Sequence, residues 1–190
     1  MLTFNEKDHK YFWNGQPVPG VNEILTELNM QEGRGSEADL LRGTWVHQAC
    51  QYYDDGTLDQ WEFDPVILEY LEGWKKFIAE QKFVGVMNEK ALRSEYGYAG
   101  RLDRCGLRST DHIVVDIKTG DPGWATGLKL AGYEQLVKEE TRQPNRIYKR
   151  LAVQLYDDGS YKLHWYYNRK EKELFLNCVS LYHYKKNGGK

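Results

Sequence analysis

AGRLDRCGLRSTDHIVVDIK, residues 99–118, reads as two strands joined by a short connection. Asp103 falls near the end of the first strand, and Asp116 and Lys118 close the second. Side chains two apart in a strand share a face. Asp116 and Lys118 therefore point one way, while Ile113, Val115 and Ile117 point the other way into a core. Antiparallel pairing of the two strands brings Asp103 to the other two. Two carboxylates and a lysine on rigid backbone can hold a hard divalent cation and position a water. The bland alternative is a strand that ends in a solvated ion pair, and a D-x-K triplet alone does not separate the two. The apolar run IVV before the charges fits a buried central strand.

Working outward, the chain before residue 99 reads as helices and then strands. Ser36 with Asp39 resembles a capping box and opens a helix to about Asp54. Its apolar positions are Leu40, Leu41, Trp45, Val46, Ala49 and Tyr53, with His47 beside the stripe and Gly43 one turn earlier. Gly43 leaves room for backbone or a ligand to approach. Asp64 and Pro65 start a further helix, with Ile67, Tyr70, Leu71, Trp74, Phe77 and Ile78 as its buried face. From Phe83, three strands with short links predict an antiparallel meander. The first of them carries Glu89 and Glu95, which either reach the site or lie on a solvated face.

The N-terminal residues 2–13 predict a short hairpin, and Asn14-Gly15 is a turn signal. Pro17 and Pro19 set an extended segment ahead of a helix over Val21 to Asn29, and Gln31 to Gly35 reads as a loop. After the decisive stretch, Thr119 to Gly123 is a turn and Trp124 to Thr141 a helix, on which Lys129 and Tyr133 share a face. IYKRLAVQLY and YKLHWYY form a hairpin over Asp157 to Ser160. Asn168 caps a last helix, about Arg169 to Tyr184, and KKNGGK reads as a frayed tail.

Composition bounds the rest. At 190 residues the chain reads as one domain, 1–190, with residues 1–35 as an N-terminal hairpin and first helix and 36–184 as the core and C-terminal helix. Charged residues make up 28% and the net charge is −2, so no global basic field advertises nucleic acid. Aromatics reach 14%, enough for some to stack on a ligand as well as fill a core. Cys50, Cys105 and Cys178 are far apart and form no C-x-x-C pair, which argues against a zinc ribbon or iron–sulfur cluster and for free thiols. The charged N-terminus carries no apolar signal core, and no run reaches a membrane span. An intracellular, cytoplasmic protein is the expectation.

In their order and spacing these residues resemble the PD-(D/E)XK nucleases of the RecB-like exonuclease type, in a phage-like version. The matching elements are Gly43 to His47 as G-x-x-x-H, Gly100 to Asp103 as G-x-x-D, Asp116-Ile117-Lys118-Thr119-Gly120 as D-x-K-T-G, and Tyr133 of Q-x-x-x-Y. The opening HKYFWNGQPVPGVNEIL resembles the start of phage members. Lys129 stands where the family usually has glutamine, and Gly20 and Asn22 where it has Ser and Thr.

The resemblance implies an α/β (α+β) restriction-endonuclease-like core, a central mixed sheet with an antiparallel meander flanked by helices. It implies a DNA exonuclease using Mg²⁺ or Mn²⁺, with Asp103, Asp116 and Lys118 catalytic. His47, Asp103, Asp116 and the backbone carbonyl of Ile117 would hold the metal. Tyr133, Lys129, Arg101 and Arg104 would contact DNA. The implied partners are single-stranded DNA or duplex ends, with a recombinase or single-strand-binding protein and homo-oligomers as further expectations, and no membrane. Two alternatives stay open: a non-catalytic DNA-binding or recombination-accessory protein that keeps the fold, and a metal-dependent hydrolase of another phosphate ester.

Overall fold

The computed structural model describes residues 1–30 and 35–189. The expected loop over Gln31 to Gly35 lies, except for Gly35, outside the described residues. The chain opens with an antiparallel three-stranded sheet of β1 (Leu2–Asn5), β2 (Lys10–Trp13) and β3 (Gln16–Val18). Asn14 and Gly15 both have positive φ, 49° and 79°, the backbone that a tight β2–β3 turn requires. The extended segment after that turn is thus a third strand, where the sequence predicted a hairpin alone. Helix α1 (Val21–Glu27) stops short of the expected Asn29, because Asn29 turns left-handed at φ 55° and ends the helix.

Helix α2 (Glu37–Asp54) carries the expected capping box: the Ser36 hydroxyl accepts from the Asp39 amide, and the Asp39 carboxylate accepts from the Ser36 amide. Helix α3 (Pro65–Gln81) starts with the Asp64 carboxylate accepting the Val66 amide at 2.8 Å. Next come β4 (Phe83–Arg93), β5 (Ala99–Arg108), β6 (Asp111–Lys118), α4 (Ala125–Glu140), β7 (Tyr148–Leu155), β8 (Tyr161–Tyr166) and α5 (Lys170–Lys186). The five strands form one sheet in chain order. All neighbours are antiparallel except β6 and β7, which are parallel because α4 crosses between them. This mixed α+β sheet flanked by helices is a restriction-endonuclease-like core.

The pleat of β6 sorts its side chains as the alternation predicts. Ile113, Val115 and Ile117 pack with Trp74 and Phe77 of α3 and Val46 of α2. Val114 faces the opposite core, with Leu130 of α4 and Phe175 of α5. Burying a side chain of this size contributes roughly 1.5–3 kcal/mol each. These two apolar layers fix β6 rigidly, and its C-terminal end is where the charges sit.

Four local readings need correction. On α2 the buried residues are Val46, Ala49 and Cys50, whereas Leu40, Leu41, Trp45 and Tyr53 are exposed. Asn168 does accept the Lys170 amide, but α5 continues to Lys186, where Lys185 and Lys186 pair with Glu27 in place of fraying. Asp103 is in the middle of β5 and Glu95 lies beyond the end of β4.

Candidate metal centre

The centre forms where α2 meets the middle of β4 and β5 and the C-terminal end of β6. His47 reaches the sheet from α2, and its Nε2 lies 3.0 Å from the carbonyl oxygen of Ile117. With Nε2–H donating to that carbonyl, the lone pair of Nδ1 faces the acidic side. Nδ1 stands 3.7 Å from Glu89 Oε1 and 3.7 Å from Asp103 Oδ2. The Ile117 amide in turn donates to Asp103 Oδ2 at 2.7 Å. The two backbone groups of one residue at the end of β6 therefore orient both the imidazole and a carboxylate. His47, Glu89 and Asp103 each offer one donor atom, all within 4.8 Å of one another.

Glu89 sits at a gap in the pairing of β4 with β5. The β4–β5 ladder pairs Asn88 with Arg104 and then Lys90 with Leu102, skipping Glu89 opposite Asp103. Glu89 has φ 44°, in the left-handed region that a non-glycine residue seldom adopts. The alternation slips there: Leu102 and Cys105, three apart, sit in the same core. Arg101 and Arg104, also three apart, both reach Glu89, from 3.0 Å at Oε2 and 2.8 Å at Oε1.

Asp116 lies one step away, with its side chain fully buried. Lys118 Nζ is 2.8 Å from its Oδ2 and Lys129 Nζ 2.6 Å from its Oδ1. Lys129 also lies over the Tyr133 ring, 5.4 Å from its centre. Oδ2 is buried with no hydrogen-bond donor aimed at it, although Lys118 is close enough for an ion pair. The opening to solvent runs past His47 and Lys118, whose side chains keep 29% and 27% of their surface.

Each charge pulls on its neighbours. Burial opposes ionising Asp116, but Lys118 and Lys129 outweigh it and hold the carboxyl far below the usual range. Burial likewise works against the charge on Lys129, yet Asp116 keeps it firmly protonated. Asp103 is pushed up, chiefly by burial, with the Asp116 charge adding to it. Glu89 is drawn down despite burial by His47, Arg104 and Arg101. His47 is raised despite burial by the Asp103 and Glu89 carboxylates. Two neighbouring carboxylates pushed in opposite directions can differ in role at one pH.

The fold thus gathers His47, Asp103, Ile117 and Lys118, with Asp116 tied to the two lysines and outside the tight His47–Glu89–Asp103 group. The Ile117 carbonyl, expected as a ligand, accepts from His47. Arg104, expected on DNA, has no exposed side-chain surface: it is clamped by Asp54 at 2.6 Å and Glu89 and lies over Trp74. Tyr133 is also buried. Its ring closes on Gly100, where an added Cβ would meet it at 2.7 Å, so the glycine of G-x-x-D is a packing requirement. Arg101 stays partly open and pairs with Glu6 and Glu89. Glu89, which the sequence left open between the site and a solvated face, is at the site; its left-handed backbone was not visible in the sequence.

No family model matches the chain, and no curated protein matches it. Among solved structures it is similar to a chain from Eubacterium rectale named "Putative exonuclease", with a TM-score of 0.51 and 12% identity. The likeness covers 92% of this chain and 76% of that one, and at that identity it is a likeness of fold. The structure named SSO0001 is 15% identical over 84% of this chain and 81% of that one, with a TM-score of 0.35.

Proposed function

We propose that the chain is a metal-dependent nuclease that hydrolyses phosphodiester bonds in DNA, acting from ends as an exonuclease. The observation that carries this reading is the convergence of His47 Nδ1 and the Glu89 and Asp103 carboxylates within 4.8 Å, beside the Asp116–Lys118 pair. The donor set is two hard carboxylates and one imidazole, and the buried Asp116 Oδ2, ion-paired with Lys118, adds a further oxygen. Such a set fits Mg²⁺ or Mn²⁺, and the imidazole favours Mn²⁺. A bound divalent cation supplies polarisation of a phosphate oxygen and acidification of a water.

The chain's own residues do the remainder. Ile117 fixes the Asp103 carboxylate and the His47 ring before substrate arrives. Lys118, at the solvent opening, offers N–H donors to the attacking water or to the phosphate oxygen on which charge builds. Arg101 has enough open surface to meet a neighbouring phosphate. Arg104 holds Glu89 in its left-handed backbone from beneath. Among the described residues no helix is long and apolar enough to cross a membrane. DNA recombination, repair or phage DNA processing in the cytoplasm is the setting proposed, with a recombinase or single-strand-binding protein as partner and homo-oligomers.

The test uses end-labelled single- and double-stranded DNA with Mg²⁺ or Mn²⁺. Asp116→Ala and Lys118→Ala should each lower the rate at least about a hundredfold. Wild-type rates in both variants would remove the assignment. The second reading, a non-catalytic DNA-binding protein, is favoured by one observation: Lys129 already occupies an oxygen of Asp116. Binding of DNA with no cleavage under any divalent ion would support it.

A further inference from the structure

Asp116 is a buried carboxylate held by two ammonium groups, and the two lysines are not equivalent. Lys118 lies on the same strand and keeps 27% of its side-chain surface, so it can swing into solvent or onto a substrate. Lys129 comes from α4, keeps 15%, and has its Nζ 2.6 Å from Oδ1 with the Tyr133 ring beneath it. Lys129 and Asp116 thus form a largely buried ion pair that spans α4 and β6. One carboxylate with two ammonium groups carries a net charge of +1, directly beside the His47–Glu89–Asp103 group.

We propose that Lys129 is a tethered cation that competes with the divalent metal for Asp116 and so sets the metal affinity of the centre. The proposal rests on the metal centre proposed above and goes beyond it by assigning Lys129 a role on the metal side in place of a phosphate contact. A fixed positive charge repels a divalent cation nearby, and a carboxylate oxygen that is already ion-paired is a poor ligand. An amide at the same position would keep a hydrogen bond to Oδ1 and remove the charge. The Oδ1 side of Asp116 would then stay oriented while its charge became available to the metal.

The experiment is a calorimetric titration of the purified full chain with Mn²⁺ at fixed pH, comparing wild type, Lys129→Gln and Lys129→Arg. Lys129→Gln is expected to bind Mn²⁺ about tenfold tighter or more, and Lys129→Arg, which keeps the charge, to stay near wild type. Thermal unfolding gives the second readout. Without metal, Lys129→Gln should melt below wild type, because a buried ion pair is broken; with Mn²⁺ its midpoint should rise further than that of wild type. If the glutamine variant does not fold, Lys129→Met supplies the neutral side chain. Equal or weaker Mn²⁺ binding by the neutral variant would overturn the proposal. So would an arginine variant that binds as tightly as the neutral one, or no binding by any of them. Absence of DNA cleavage by proteins that show the expected affinity order would remove the nuclease reading and leave this one standing.

Discussion

Asp116 shows how far one residue's setting departs from what its place in a strand implies. Alternation put it beside Lys118 at the end of an apolar strand, and that pairing is present at 2.8 Å. The second lysine comes from a helix a dozen residues later, and no local pattern announces its reach. Because the folded Asp116 carboxyl titrates far below its unfolded value of about 3.9, its ion pairs add stability above that pH. That stability is lost as the pH falls toward the folded value. The unfolding midpoint of the metal-free protein should therefore fall more steeply between about pH 4 and 2 in wild type than in Asp116→Asn. Matching slopes, measured by thermal melts across that range, would show that the lysines do not hold the carboxylate. The burial of Arg104 and the backbone of Glu89 were illegible for a different reason. Strand periodicity assumes an unbroken pleat, whereas Glu89 is left-handed within β4 and Arg104 of β5 lies buried against it.

Among the elements, β5 and α2 carry the site and respond differently to added bulk. A methyl at Gly100 would meet Tyr133, Leu136 and Val21 at 2.7–3.1 Å. Gly100→Ala should destabilise the protein by about 1–3 kcal/mol, read from urea unfolding. A methyl at Gly43 would lie 3.6 Å from Thr119 Oγ1, an ordinary contact. Removing a mid-helix glycine favours the helix, so Gly43→Ala should stabilise by about 0.5–1 kcal/mol. If that gain comes with slower DNA cleavage, the space at Gly43 serves the substrate. If stability falls instead, α2 has no room there. The start of α2, its cap and the start of α3 were readable because they are set by side chains within four residues. The exposed stripe of Leu40, Leu41 and Trp45 was misread because periodicity marks an apolar face without saying what lies opposite it.

For the molecule as a whole, the order of elements carried the fold: helices, a three-strand meander, a crossover helix and a final hairpin leave few ways to build one sheet. The cysteines follow the same layering. Cys50, Cys105 and Cys178 are all buried as free thiols, and burial pushes the Cys105 thiol up to about 11. Native protein at pH 8 should react with iodoacetamide much more slowly than unfolded protein; rapid labelling of the folded chain would contradict the layering. A thiol raised on folding stays protonated in the native state while the unfolded one ionises. Stability should therefore decline from about pH 9 to 11, and Cys105→Ala should flatten that decline.

The most direct test of the account is Mn²⁺ binding at the centre itself. Titration of the purified chain should give one ion bound through His47, Glu89 and Asp103. Glu89→Gln and Asp103→Asn should each weaken binding at least about tenfold while remaining folded. Wild-type affinity in both variants would contradict it.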